Sequence, residues 1–110
     1  MTRMVARNEI YWADLGGAAG RRPVCILTRT PAVAALNSVT IASITRTMRG
    51  IASEVQVGPD EGLPEPCVIN CDTIASVPKD VLDPNPVGVL DMSQRVALDR
   101  ALRYALDIAF

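Results

Sequence analysis

Arg21-Arg22-Pro23-Val24-Cys25-Ile26-Leu27-Thr28 is followed, after a small-residue connection, by Val39-Thr40-Ile41-Ala42-Ser43-Ile44-Thr45-Arg46. Both runs are short and rich in β-branched and apolar residues, the pattern of buried strands. Each carries arginine and threonine at its margins. Paired as antiparallel neighbours, the start of the first run lies beside the end of the second. Arg22 and Thr45 then share one rim of one sheet, where a guanidinium and a hydroxyl converging on a point form a phosphate site. Pro23 lacks an amide donor and belongs at a strand start or edge. It also keeps Arg22 extended, because the residue before proline avoids the helical region.

Outward from this pair, Asn8 to Leu15 reads as a first strand rich in Ile, Tyr and Trp. Gly16 to Gly20 is a glycine-rich turn that delivers the chain to Arg21; without a following lysine-serine pair it is no P-loop. Thr30 to Asn37 is alanine-rich and reads as a short helix or a loop. The third strand runs from Ser38 to Ile44, and Thr45 to Gly50 is a basic loop with two hydroxyls. Ser53 to Val57 alternates as a half-exposed strand does, and Gly58 to Pro64 is a turn by composition. Cys67 to Cys71 is a buried strand that Asp72 to Val77 continues or pairs with. Val87 to Leu90 makes a short edge strand after a proline-punctuated loop.

The chain closes on a helix. Asp91 caps it and Gln94 reaches back, a capping box. Leu98, Leu102, Ala105, Leu106 and Ala109 form one stripe, with Arg95, Asp99, Arg103 and Asp107 opposite. This pattern predicts scaffold, packed across the sheet. The sum is six or seven short strands and one strong helix in a single domain, residues 1–110. The predicted class is mainly β with helices (α+β), a small, strongly curved antiparallel sheet or partial barrel.

Composition bounds the chemistry. With 49% hydrophobic and 21% charged residues the chain is globular, and its 4% aromatic content leaves the core to Val, Ile, Leu and Ala. No apolar run approaches the roughly 20 residues of a membrane span. Met1 to Arg7 has no apolar stretch behind its arginines, so it does not read as a signal peptide, and a cytoplasmic protein is expected. The formal net charge of −1 hides an asymmetry: seven arginines stand against two acids up to Gly50, and four basic residues against ten acids beyond it. A basic patch on a neutral molecule holds a few phosphates without coating duplex DNA.

The three cysteines do not make a site. Cys67 and Cys71 would stand roughly 13 Å apart in an extended strand, too far for a disulfide, and the paired spacings of a zinc site are absent. Buried free thiols are expected. With no histidine, imidazole acid–base chemistry is excluded, and no metal or cofactor is expected.

RNA cleavage works with what remains. The nucleophile is the substrate's own 2′-OH; the protein need only align it with the adjacent phosphate and stabilise the charge that develops there. DNA, lacking that hydroxyl, is inert to this route.

Glu9-Ile10-Tyr11-Trp12-Ala13-Asp14-Leu15, Arg22-Pro23-Val24, Ala42-Ser43-Ile44-Thr45, Gly62-Leu63-Pro64 and Val68-Ile69-Asn70-Cys71-Asp72, in that order, resemble the MazF/PemK/Kid toxin family. The resemblance covers nearly the whole chain from Asn8. It implies an SH3-like barrel, a homodimer and a metal-independent endoribonuclease. Such a toxin cuts single-stranded RNA at short sequences, leaving a 2′,3′-cyclic phosphate and a 5′-OH. It also implies a MazE-like antitoxin whose acidic, disordered tail occupies the RNA groove. By the same resemblance, Arg22 and Thr45 are the catalytic residues and Asp72 has a base or binding role. Arg46 and Arg49 are further candidate RNA contacts. The chain departs from the family's usual pattern in its short first loop, Gly16 to Arg21, and in Arg46-Thr47 after Thr45. The competing expectations are a non-enzymatic toxin of the same general fold that binds a protein target such as gyrase, and an inactive member kept as an antitoxin decoy.

Overall fold

The two runs around Arg22 and Thr45 are adjacent strands at the middle of one sheet. The fold is described from a computed structural model, for residues 5–109. The strands are β1 (Glu9–Asp14), β2 (Arg21–Ile26), β3 (Ser38–Thr45), β4 (Glu54–Val57), β5 (Cys67–Pro78) and β6 (Gly88–Val89). One helical turn, α1 (Thr30–Val33), links β2 to β3, and α2 (Met92–Leu106) follows β6. The sheet order is β4-β5-β3-β2-β1-β6, with every pairing antiparallel.

Side chains alternate across a strand, so a strand covered on both faces must be apolar throughout. That is why Val24, Cys25 and Ile26 form an unbroken run: all three are buried, and successive residues enter different cores. On one face Ile10, Cys25, Ala42, Ile44 and Ile69 meet Leu98 and Ala101 of α2. On the other, Tyr11, Val24, Ile26 and Ile41 pack with Val33 and Leu82. Fully burying one such aliphatic side chain contributes about 1.5–3 kcal/mol.

Asp72 to Val77 continues the strand of Cys67 to Cys71, with a break in register. Ala42 pairs with Ile74, but the next residue, Ser43, pairs with Asn70. Cys71, Asp72 and Thr73 therefore bulge opposite a single step of β3. A bulge bends its strand and increases local twist. Here it lets the first part of β5 pair with β4 and the end of β3, while the later part pairs with the start of β3.

Asp91 caps α2: its carboxylate accepts from the Gln94 amide at 2.8 Å, and the Asp91 amide donates to Gln94 Oε1 at 2.9 Å. The helix packs against β4 and β5. The expected apolar stripe needs correction at its end. Leu98 is buried and Leu102 and Ala105 are half-buried, but Leu106 is exposed. Asp107 turns left-handed (φ +56°) and ends the helix, which takes Ala109 off the stripe. Ala101, outside the expected stripe, is buried instead. Among the described residues no helix is long and apolar enough to cross a membrane.

Candidate active site

The turn between β1 and β2 sets the first arginine. Gly16, Gly17 and Gly20 take φ of +71°, +53° and +60°, which only glycine adopts freely. The Leu15 amide closes the turn on Gly20 O at 2.9 Å. Ala19, inside the turn, accepts a hydrogen bond from Arg22 Nε at 2.9 Å. The guanidinium is thus held by its inner nitrogen, and its two terminal amino groups have no partner among the described residues. Other arginines differ. Arg21 is paired with Asp83, Arg46 with Glu65 at 3.1 Å, and Arg7 with Asp99 at 3.3 Å. Arg22 therefore offers an uncompensated cation.

Thr45 is the last residue of β3. Val24 pairs with Ser43 across β2 and β3, so the register carried two places further sets Arg22 against Thr45. The Thr45 hydroxyl oxygen accepts the Thr47 amide at 3.2 Å. Its own hydrogen has no acceptor among the described residues and remains available to a ligand.

Two grooves meet at this pair. One, of about 570 Å³, runs past Trp12, Arg21, Arg46 and Glu65; the other, of about 360 Å³, runs past Ser43, Arg49, Asn70 and Thr73. Ala19, Arg22, Thr45 and Thr47 line both. The joined trough is open, rimmed among the described residues by four arginines and one carboxylate. That suits an extended polyanion with one phosphate at the junction.

The sequence-predicted residues divide. Arg22, Thr45, Arg46 and Arg49 come together around the trough. Arg49 is placed by Glu54, whose carboxylate accepts the Arg49 and Gly50 amides at 3.0 Å each and so orders the β3–β4 loop. Asp72 lines neither groove. It sits in the β5 bulge, where its carboxylate accepts the buried Ser53 hydroxyl at 2.6 Å and its amide donates to Asn70 Oδ1 at 2.9 Å. Glu65, Thr47, Asn70, Thr73 and Trp12 line the grooves without having been expected as site residues. Thr47 lies two residues beyond Thr45 in the basic loop, whereas the other four reach the trough through tertiary pairing.

Burial disfavours the thiolate form of all three cysteines. Burial pushes Cys25 up to about 12 and Cys71 up to about 11. Cys67 borders the first groove, but burial, with Glu65 nearby, raises it too. All three are free. Among the described residues no group of three or more Cys, Asp or Glu is placed to hold a metal ion.

Residues 6–106 match the family model of the PemK-like, MazF-like toxins of type II toxin–antitoxin systems. The chain is 39% identical over 83 residues to the probable endoribonuclease MazF5 of Mycobacterium tuberculosis, covering 74% of this chain and 75% of that one. It is 44% identical over 71 residues to endoribonuclease MazF3 of the same organism, covering 64% and 66%. Its fold superimposes on the M. tuberculosis toxin MazF-mt6 with a TM-score of 0.85 at 39% identity, over 93% of this chain and 99% of that one. A mycobacterial endoribonuclease solved with its cognate antitoxin gives 0.83 at 26% identity, over 96% and 98%. The expected curled, barrel-like sheet with a C-terminal helix is the fold of these toxins, and the chain belongs to the PemK-like, MazF-like toxins of type II toxin–antitoxin systems.

Proposed function

We propose that the chain is a single-domain, sequence-selective endoribonuclease that cleaves single-stranded RNA at the junction of the two grooves. The observation that carries this reading is a guanidinium whose terminal amino groups, and a hydroxyl whose hydrogen, have no partner among the described residues, on neighbouring strands of one open trough. The substrate 2′-oxygen attacks the adjacent phosphorus and loses its proton to solvent, while the bond from phosphorus to the 5′-oxygen breaks. Negative charge grows on the non-bridging oxygens of the phosphorane. Arg22 donates to one through its terminal amino groups, and Thr45 donates its hydroxyl hydrogen to another. We assign protonation of the departing 5′-oxygen, late in the reaction, to the Arg22 guanidinium, which regains its proton from solvent. The products are a 2′,3′-cyclic phosphate and a 5′-OH. The chemistry needs no cofactor.

Arg46 and Arg49 serve as backbone contacts on the two arms of the trough. Asp72 acts at one remove, holding the bulge that presents Asn70 and Thr73. The protein works as a cytoplasmic homodimer, and a MazE-like antitoxin inhibits it by laying an acidic segment along the arginine-rimmed trough. The likeness to a toxin solved with its cognate antitoxin supports that partner. The gyrase-type alternative is not favoured: the curated relatives are named endoribonucleases, and binding a protein would leave the Arg22–Thr45 arrangement without a task.

Incubating the purified protein with a long RNA in EDTA and mapping the 5′ ends tests the proposal. Cuts at a recurring short sequence with 5′-OH ends are expected, and a 2′-deoxy substitution at the cut nucleotide should block them. Intact RNA together with inhibited gyrase would overturn the proposal in favour of the protein-binding alternative.

A further inference from the structure

Arg21 and Arg22 are neighbours with different surroundings. Arg22 meets no carboxylate among the described residues. Arg21 gives both terminal amino groups to Asp83, one of them at 2.7 Å from Oδ1, and this pairing raises its pKa. Its guanidinium also lies over Trp12, 5.7 Å from the ring centroid, within the range of a cation–π contact. Asp83 is itself fixed: its amide donates to Trp12 O at 2.9 Å, and Leu82 bridges to Ala13. The strand that supplies the indole therefore also holds, through main-chain bonds, the carboxylate that aims the guanidinium.

Arg21 and Trp12 both line the groove that contains Arg22 and Thr45, and 54% of the Arg21 side chain stays exposed. With its charge met by Asp83, this arginine is a poor competitor for the scissile phosphate. A planar guanidinium pinned at its fork and backed by an indole is a good surface for a flat π-system. We propose that Trp12, Arg21 and Asp83 form a nucleobase-stacking subsite for a nucleotide that flanks the phosphate held by Arg22. The inference rests on the RNA-cleaving reading above and names the ligand on one arm of the trough. Because every base has a π-face, the subsite seats the strand and fixes its distance from Arg22 without choosing the sequence.

Steady-state cleavage of a short RNA with one cut site tests this, with the base removed from each flanking nucleotide in turn. For the native protein, one flanking position should raise KM by about 5-fold or more when its base is absent. Arg21→Lys keeps the charge and loses the plane. It should show that rise on intact RNA, lose sensitivity at that one position and keep it elsewhere, with kcat falling less than KM rises. Asp83→Asn should act in the same direction and guards against a folding defect peculiar to the first variant. If native protein cuts the RNA but neither variant changes the pattern of base sensitivity, the stacking subsite is overturned and the cleavage reading stands. If native protein cuts no RNA, the cleavage reading falls and the subsite with it.

Discussion

Replacing Thr45 by valine removes one hydroxyl and leaves the strand. Valine matches threonine in shape and suits β3, where position 45 pairs with Val68 of β5. Two hydrogen bonds change. The Thr47 amide loses its acceptor, but it lies in an exposed loop where water replaces the oxygen, at a cost of about 0.5–1.5 kcal/mol. The second is the bond to the phosphate, which exists only with substrate present. A hydrogen bond to a charged group contributes about 1.5–3 kcal/mol. At about 1.36 kcal/mol per decade, Thr45→Val lowers kcat/KM by about 10- to 150-fold. Thr45→Ser restores the donor and should recover most of the loss. Single-turnover cleavage of a fluorogenic RNA oligonucleotide measures both, with a thermal melt to show that the valine variant is folded. If a folded Thr45→Val cleaves as fast as Thr45→Ser, the hydroxyl does not meet the phosphate and the account of the junction is wrong.

Asp91→Ala deletes the α2 cap, far from either groove. Lost caps cost about 1 kcal/mol, so Tm should fall by about 4–8 °C while the cleavage rate at 25 °C stays unchanged; a melt and a rate assay check the two halves. The thiols give a pH dependence whose sign follows from burial. The folded state holds the Cys25 and Cys71 protons up to about 12 and about 11, whereas the unfolded chain releases them near the ordinary 9. Stability is then fully present below about pH 9 and is lost as pH rises toward 11–12. Urea midpoints measured across that range should fall with pH, and less steeply in Cys25→Ala.

The parts of the fold set by local pattern were legible in the residues. Val24 to Leu27 is unbroken apolar, as burial on both faces demands, and Val39 to Ile44 is apolar except at the half-buried Thr40 and Ser43. Antiparallel pairing of those two runs was enough to bring Arg22 beside Thr45. Asp91 and Gln94 marked the start of α2 through capping chemistry alone. What escaped depends on distant partners. The bulge at Cys71 to Thr73 arises from pairing β5 with two different strands, and nothing in Asn-Cys-Asp-Thr announces it. The resemblance implied a base or binding role for Asp72; in the bulge its carboxylate meets Ser53. The Arg21–Asp83 pair joins residues 62 apart in sequence, and Glu65 enters the trough from a turn whose composition says only that it turns. The end of the helix stripe failed because periodicity does not report where a helix stops touching its sheet.

The claim beneath all of this is that Arg22 stabilises the charge of a cleaved phosphodiester, and one comparison addresses it directly. The rate constant for cleavage of a single-site RNA, in EDTA and with enzyme saturating, is measured for the native chain and for folded Arg22→Ala. Loss of a main transition-state donor predicts a fall of about 100- to 1,000-fold, with RNA affinity weakened far less. An undiminished rate in the folded variant would contradict the account.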